Sequence, residues 1–178
     1  EVDPILGPEM RSTGEVLGLS QFYGEAFFKA QEATQTKLPL TGTVLITVNN
    51  KDKDEMIEVA RDLKQAGFKI LATKGTQKAL ADADIVSEFV YKLNEGRPNI
   101  IDLMTNGKID LMINTPASAS EHVDDSDLRK TAIKKKVPYI TTIAAAKATA
   151  SGIKSMGLPG CGVVKSLQEL HAEITDKE

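Results

Sequence analysis

The stretch Thr73-Lys74-Gly75-Thr76 concentrates the residue types that hold an oxyanion. A glycine lets backbone N–H groups approach a ligand closely, and two threonines add hydroxyl donors. A helix opening at this point aims its positive end at the same place. That chemistry suits a phosphate monoester. The same four residues also make an ordinary helix start, so on their own both readings stand. Residues of matching chemistry recur along the chain. Asn49, Asn50, Lys51 and Lys53 follow one apolar run, and Lys92 follows another. Asn114-Thr115-Pro116 follows a third, and Thr141-Thr142 a fourth. An isolated surface lysine is usually a solvated charge, and Asn114-Thr115 would serve equally well to cap the next segment. A binding role depends on where the supporting elements bring these residues.

Those elements alternate. Residues 43–48, 68–72, 85–91, 109–113 and 139–141 are short apolar runs rich in β-branched residues, and read as strands. Residues 53–66 have Met56, Val59, Ala60 and Leu63 at helical spacing. Asp52 stands as N-cap with Glu55 three residues on, and Gly67 as the stop. Further helices are predicted over 77–83, over 100–106 before Gly107, over 126–136, and from the fifth strand to about Ala150. A last strand over 162–165 and a closing helix over 166–174 complete the pattern. Strand–helix alternation with short loops predicts parallel strands joined by crossovers, covered on both faces. The predicted fold is α/β, a three-layer α/β/α sandwich around a mostly parallel sheet of about five strands. In such a sheet ligands bind beyond the carboxyl ends of the strands. The hydroxyls, amides, glycine and lysines named above all stand at that rim.

Ahead of the sheet, residues 1–19 are rich in Gly, Pro and polar residues and read as irregular. Residues 20–33 carry a helical stripe of Phe22, Tyr23, Ala26, Phe27 and Ala30, and 37–42 read as a linker. This first unit is too short to bury a core, so it is expected to pack on something outside the chain.

Composition narrows the function. The 178 residues suffice for one domain with a core and some extra. A net charge of −3 argues against general nucleic-acid binding, which needs a basic face. The single cysteine, Cys161, excludes an internal disulfide and fits a reducing, cytoplasmic setting. There is no apolar run of membrane-spanning length and no charged-then-apolar leader, so no membrane partner is expected. Glu1 in place of an initial methionine reads as a piece of a longer protein. His122 and His171 lack metal-ligand spacing, and Cys161 has no partner motif. Asp124-Asp125-Asp127 and Lys134-Lys135-Lys136 suit the two ends of one helix. No metal site, no resident cofactor and no catalytic group are predicted.

Taken together, residues 42–174 resemble the methylglyoxal-synthase-like domain at the C-terminus of carbamoyl-phosphate synthetase large subunits. The stretches that carry the resemblance are Val44–Val48 with Lys53, Ala72-Thr73-Lys74-Gly75-Thr76, and Lys92 with Glu95-Gly96-Arg97-Pro98. Ile113-Asn114-Thr115 and Tyr139-Ile140-Thr141-Thr142 complete the set. Residues 7–16 resemble the closing stretch of that enzyme's second ATP-grasp domain. The resemblance implies a division into 1–41, the ATP-grasp tail and linker, and 42–178, an allosteric domain. It implies binding of a nucleotide monophosphate, UMP or IMP or both, through Thr47, Lys53, Thr73, Gly75, Thr76, Lys92, Asn114 and Thr115. Tyr139 and Thr142 are implied for an ornithine site. The parent enzyme would be an ATP-dependent ligase using Mg or Mn. It would make carbamoyl phosphate from bicarbonate and glutamine-derived ammonia, for pyrimidine and arginine biosynthesis. Its partners would be the rest of the large subunit, the glutaminase small subunit, and an oligomer formed through this domain.

The sequence also departs from that family. Many relatives carry a short Gly/Arg/Lys stretch after the Asn-Thr pair, whereas residues 117–122 here contain no basic residue, and Pro116 lacks a hydroxyl. The effector's base is therefore left open. Two enzymes on similar folds are alternatives. Methylglyoxal synthase needs a catalytic aspartate after the third strand, and residues 94–99 contain none. An IMP-cyclohydrolase-like domain shares the Thr-x-Gly-Thr opening but not the leading segment. A purely structural oligomerisation domain is a third class.

Overall fold

The computed structural model describes residues 16–34, 37–116 and 122–175. Five strands form one sheet: β1 (Thr43–Val48), β2 (Lys69–Ala72), β3 (Glu88–Phe89), β4 (Leu111–Thr115) and β5 (Tyr139–Ile140). Every pairing is parallel and the order is β3-β2-β1-β4-β5. The chain starts in the middle, winds outward to β3, then crosses to the other side of β1 for β4 and β5. Strand order therefore reverses between β1 and β4, which is where doubly wound sheets open a ligand crevice.

Helices α2 (Lys53–Gln65), α3 (Lys74–Asp82), α4 (Ile100–Thr105), α5 (His122–Lys135) and α6 (Ile143–Met156) connect and cover the strands. One sheet face, with Val44, Ile46, Ile70, Ala72, Leu111 and Ile113, packs on Met56, Val59, Ala60 and Leu63 of α2 and on α6. The opposite face, with Leu45, Leu71 and Met112, packs on Ile100 and Met104 of α4 and Leu128 and Ala132 of α5. This is the predicted α/β/α sandwich, with its parallel strands apolar on both faces.

Helix ends explain several shifts from the predicted boundaries. Gly67 (φ +91) closes α2 with Phe68 N–H donating to Leu63 C=O, and Gly107 (φ +64) closes α4 with Lys108 N–H donating to Leu103 C=O. Both stops were expected. Asp84 (φ +60) closes α3 in the same way, Ile85 N–H donating to Leu80 C=O. Ile85 is thereby consumed by the helix end, and only Glu88 and Phe89 pair with Leu71 and Ala72. The predicted strand over 85–91 shrinks to two residues. Lys136 (φ +57) closes α5 before β5. That helix begins at His122 rather than at 126, and α6 runs on to Met156 rather than stopping near Ala150. Asp52 makes no side-chain cap. It lies in a 3-10 turn (Asn50–Asp52) that Asn49 caps instead, through Lys51 and Asp52 N–H groups.

The leading helix α1 (Tyr23–Glu32) packs on α6, which corrects the expectation that it would find its partner only outside the chain. Small residues allow this close crossing. A Cβ on Gly24 would lie 2.6 Å from both Ser151 Oγ and Ser155 Oγ. Phe28 reaches the main core and is 2% exposed. Buried Glu25 accepts from Ser20 Oγ (2.6 Å) and from Gly162 N–H (2.9 Å), and pairs with Lys29 (2.9 Å). Lys29 in turn donates to Val163 C=O at 3.0 Å. These α1 side chains occupy the backbone groups of residues 162 and 163, so the predicted strand over 162–165 does not form. A closing helix α7 (Leu167–Thr175) follows, capped by Ser166 and Glu169.

Candidate functional site

Alternation along parallel strands puts Leu71, Leu45 and Met112 in one row under α4 and α5, and the register places Thr73, Thr47 and Asn114 two residues further on. The row that is apolar in the core becomes hydroxyl, hydroxyl and amide at the sheet's carboxyl edge. All three are buried. A cavity of about 300 Å³ opens directly above this row, at the β1/β4 reversal. Its size falls at the small end of ligand pockets.

The polar side of the cavity is built around the start of α3. That helix begins at Lys74, three residues before the predicted 77, so Gly75 and Thr76 belong to its first turn. Its N-cap Thr73 gives no side-chain hydrogen bond to the turn, and there is no acidic residue in it. Helices α2 and α4, by contrast, carry acids in their first turns. The positive end of α3 is thus left without internal compensation, as an anion site requires.

Hydroxyl accounting points the same way. Thr73 Oγ1 donates to Thr47 Oγ1 at 3.1 Å, which leaves the Thr47 proton to be given onward. Thr76 Oγ1 accepts from Val48 N–H at 3.2 Å, and so also keeps a proton to donate. Two cations flank the turn. Lys53 Nζ lies 3.4 Å from the position a Cβ on Gly75 would take, and Lys92 stands on the wall beyond β3. Neither makes an ion pair among the described residues, and no carboxylate or histidine joins them on the described wall. Across from the turn, Thr115 Oγ1 accepts from Asn49 N–H (3.2 Å) and Asn49 Nδ2 (3.3 Å), locking the mouths of β1 and β4 together. Asn114 Nδ2 donates to Tyr139 Oη at 2.6 Å.

All eight residues predicted for an effector line this one cavity: Thr47, Lys53, Thr73, Gly75, Thr76, Lys92, Asn114 and Thr115. Asn114 and Thr115 are the last two residues of β4, which runs 111–115 rather than the predicted 109–113 and so does not end before them. Tyr139 and Thr142 are not on the wall. Tyr139 sits behind Asn114, and Thr142 Oγ1 caps α6 by accepting from Ala145 N–H. Sequence reasoning missed the apolar side of the cavity, made by Val48, Leu93, Ile100 and Leu128. Each of these reads as ordinary core, and no local signal marks it otherwise. Residues 117–121, where the chain departs from its relatives, lie outside the described residues. Among the described residues no group of His, Cys, Asp and Glu is arranged to hold a metal ion, and no helix is long and apolar enough to cross a membrane.

A family model described as "MGS-like domain" matches residues 55–141, from α2 through β5. Over those residues the chain is MGS-like. Nearly the whole chain also matches carbamoyl phosphate synthase large chains. That of Methanosarcina acetivorans is 45% identical over 172 residues, which is 97% of this chain and 16% of that protein. The "Carbamoyl phosphate synthase large chain, C-terminal section" of Methanopyrus kandleri is 47% identical over 171 residues, 96% of this chain and 31% of that one. The large chain of Acidobacterium capsulatum is 47% identical over 171 residues, covering 96% of this chain and 16% of its own length. The chain thus spans less than a third of the length of these relatives. At 96–97% of this chain, the matches take in α1 as well as α6.

Proposed function

We propose that this chain is the effector-binding, regulatory part of a carbamoyl phosphate synthase large chain, and that the cavity takes a nucleoside monophosphate such as UMP or IMP. The observation that carries the reading is the division of the cavity into two chemistries. Uncapped N–H groups, two donating threonines and two lysines without an ion pair among the described residues face one end. Val48, Leu93, Ile100 and Leu128 face the rest. A phosphate joined to a flat, largely apolar ring system fits both. The described wall carries no carboxylate, histidine or cysteine to act as a general base, which favours binding over chemistry there.

In this reading the whole protein is an ATP-dependent, cytoplasmic ligase with Mg or Mn at sites elsewhere in the large chain. It works with a glutaminase small subunit to make carbamoyl phosphate for pyrimidine and arginine biosynthesis. The effector acts by binding more tightly to one arrangement of the MGS-like domain against the rest of the large chain, with a coupling of about 1–3 kcal/mol. An ornithine site at Tyr139 and Thr142 gains less support, because neither residue lines the cavity. Calorimetric titration of the 178-residue chain with UMP, IMP and inorganic phosphate tests the proposal. At least one nucleotide is expected to bind more tightly than phosphate. Heat from neither nucleotide at millimolar concentration would sink it. Methylglyoxal formed from dihydroxyacetone phosphate would favour the lyase alternative.

A further inference from the structure

The hydrogen bond between Asn114 and Tyr139 reaches beyond the cavity wall. Tyr139 pairs with Met112 in the β4–β5 register, one row below Asn114, and belongs by packing to the core under α4 and α5. Its hydroxyl nevertheless rises to take a hydrogen from Asn114 Nδ2 at 2.6 Å. From α5, the Arg129 guanidinium sits over the ring, 5.9 Å from its centroid. Asn114 is 7% exposed and lines the cavity, whereas Tyr139 does not.

Turning the amide over would break this bond and require the Tyr139 hydroxyl to rotate and donate to Oδ1 instead, so Tyr139 holds the plane of the amide before a ligand arrives. The part of the ligand it would meet follows from the sheet. Thr73 extends β2, Thr47 lies on β1 and Asn114 on β4, so Asn114 stands two strand spacings, about 10 Å, from the phosphate turn. That distance places it at the nucleoside end of a bound nucleotide.

We infer that Tyr139 is a positioning residue for this site: it orients the Asn114 amide so that the cavity distinguishes a nucleoside monophosphate from bare phosphate. The inference rests on the nucleotide reading above. The test is calorimetry with UMP, IMP and inorganic phosphate on the wild-type chain, Tyr139→Phe, Asn114→Ala and the double variant. Tyr139→Phe keeps the ring and its stacking against Arg129. It is expected to weaken the better nucleotide about three- to tenfold, the worth of one neutral hydrogen bond, and to leave phosphate unchanged. In the Asn114→Ala background it should cost nothing further. Unchanged nucleotide affinity in Tyr139→Phe, an equal loss for nucleotide and phosphate, or additive losses in the double variant would each overturn the inference alone. If Tyr139→Phe fails to fold, Asn114→Ala decides, and retained preference for nucleotide over phosphate there overturns it. A wild-type chain that binds no nucleotide removes the proposed function and this inference with it.

Discussion

Replacing Lys53 by methionine should weaken the ligand and strengthen the fold, and the two signs together test the site. Lys53 is the first residue of α2, and its Nζ also lies over the first turn of α3. With no anion bound, the cation would therefore face the positive ends of two helices. A charge so placed costs about 0.3–1 kcal/mol in all for a partly exposed group. Methionine keeps the apolar stem and a good helix propensity, so its removal of the charge should raise stability by that amount. For a domain of this size the gain is about 1–4 °C in Tm. A phosphate at the α3 turn reverses the balance. At about 4 Å, one charge pair is worth about 1 kcal/mol in water and about 4 kcal/mol at an effective dielectric of 20. Lys53 is half-buried beside an open cavity, so a value of about 1–2 kcal/mol applies. This corresponds to a loss of about 5- to 30-fold in affinity at low salt. In 1 M salt the screening length falls to about 3 Å, shorter than the separation, and the loss should shrink to about threefold or less. Calorimetric titrations at low and high salt, with scanning calorimetry of the ligand-free proteins, measure all three quantities. An affinity loss that ignores salt would refute the electrostatic argument, and so would a variant less stable than the wild type.

Three further outcomes are expected. Gly75→Ala should leave stability unchanged or raise it by about 0.5–1 kcal/mol, since its Cβ meets only the flexible end of Lys53; phosphate affinity should fall roughly tenfold as the methyl covers the turn, and equal affinity by titration would remove Gly75 from the contact. Gly24→Ala should destabilise by about 1–3 kcal/mol, because the new Cβ would lie 2.6 Å from the Ser151 and Ser155 hydroxyl oxygens at the α1–α6 crossing; thermal melts check this, and an unchanged Tm would show that α1 does not hold this position. The Ser20 hydroxyl, Lys29 and the Gly162 N–H hold Glu25 down to a pKa of about 2. Its carboxylate is thus favoured in the folded state, so its contribution is present in full above the usual pKa near 4.5 and is lost as pH falls from there toward 2. Glu25→Gln should be less stable than wild type at pH 7, with the gap closing across that window; a gap that is constant with pH would contradict the clamp.

Much of the fold is local enough to read from the residues. The strand β1 (43–48) stands where its β-branched run puts it, and α2 follows Met56, Val59, Ala60 and Leu63. Gly67 and Gly107 stop their helices because glycine enters the left-handed region without a Cβ penalty. Asp84 and Lys136 do the same work against that penalty, stabilised by their surroundings, and nothing in either residue type announces it. That is why the strand predicted over 85–91 shortens to Glu88–Phe89, while α3 and α5 end within one residue of the predicted 83 and 136. The edge at 162–165 was misread for a similar reason. Its backbone groups are claimed by Glu25 and Lys29, more than 130 residues away in the chain.

The site divides along the same line. Hydroxyls, a glycine, amides and lysines at the ends of predicted strands are properties of residue type and of distance along the chain. The sequence alone therefore marked Lys53, Thr73, Gly75, Thr76, Lys92, Asn114 and Thr115 as candidates for a ligand rim, and the family resemblance added Thr47. The sequence could not determine that they meet. Convergence depends on the order β3-β2-β1-β4-β5, which sets Thr47 beside both Thr73 and Asn114 and opens the crevice where the winding reverses. Strand order is decided by packing between distant segments, and parallel strands of similar composition leave no local mark of who neighbours whom. The apolar wall of Val48, Leu93, Ile100 and Leu128, and the hold of Tyr139 on Asn114, likewise exist only once the layers close. A side chain becomes core or cavity according to what stands opposite it, and only the tertiary structure decides that.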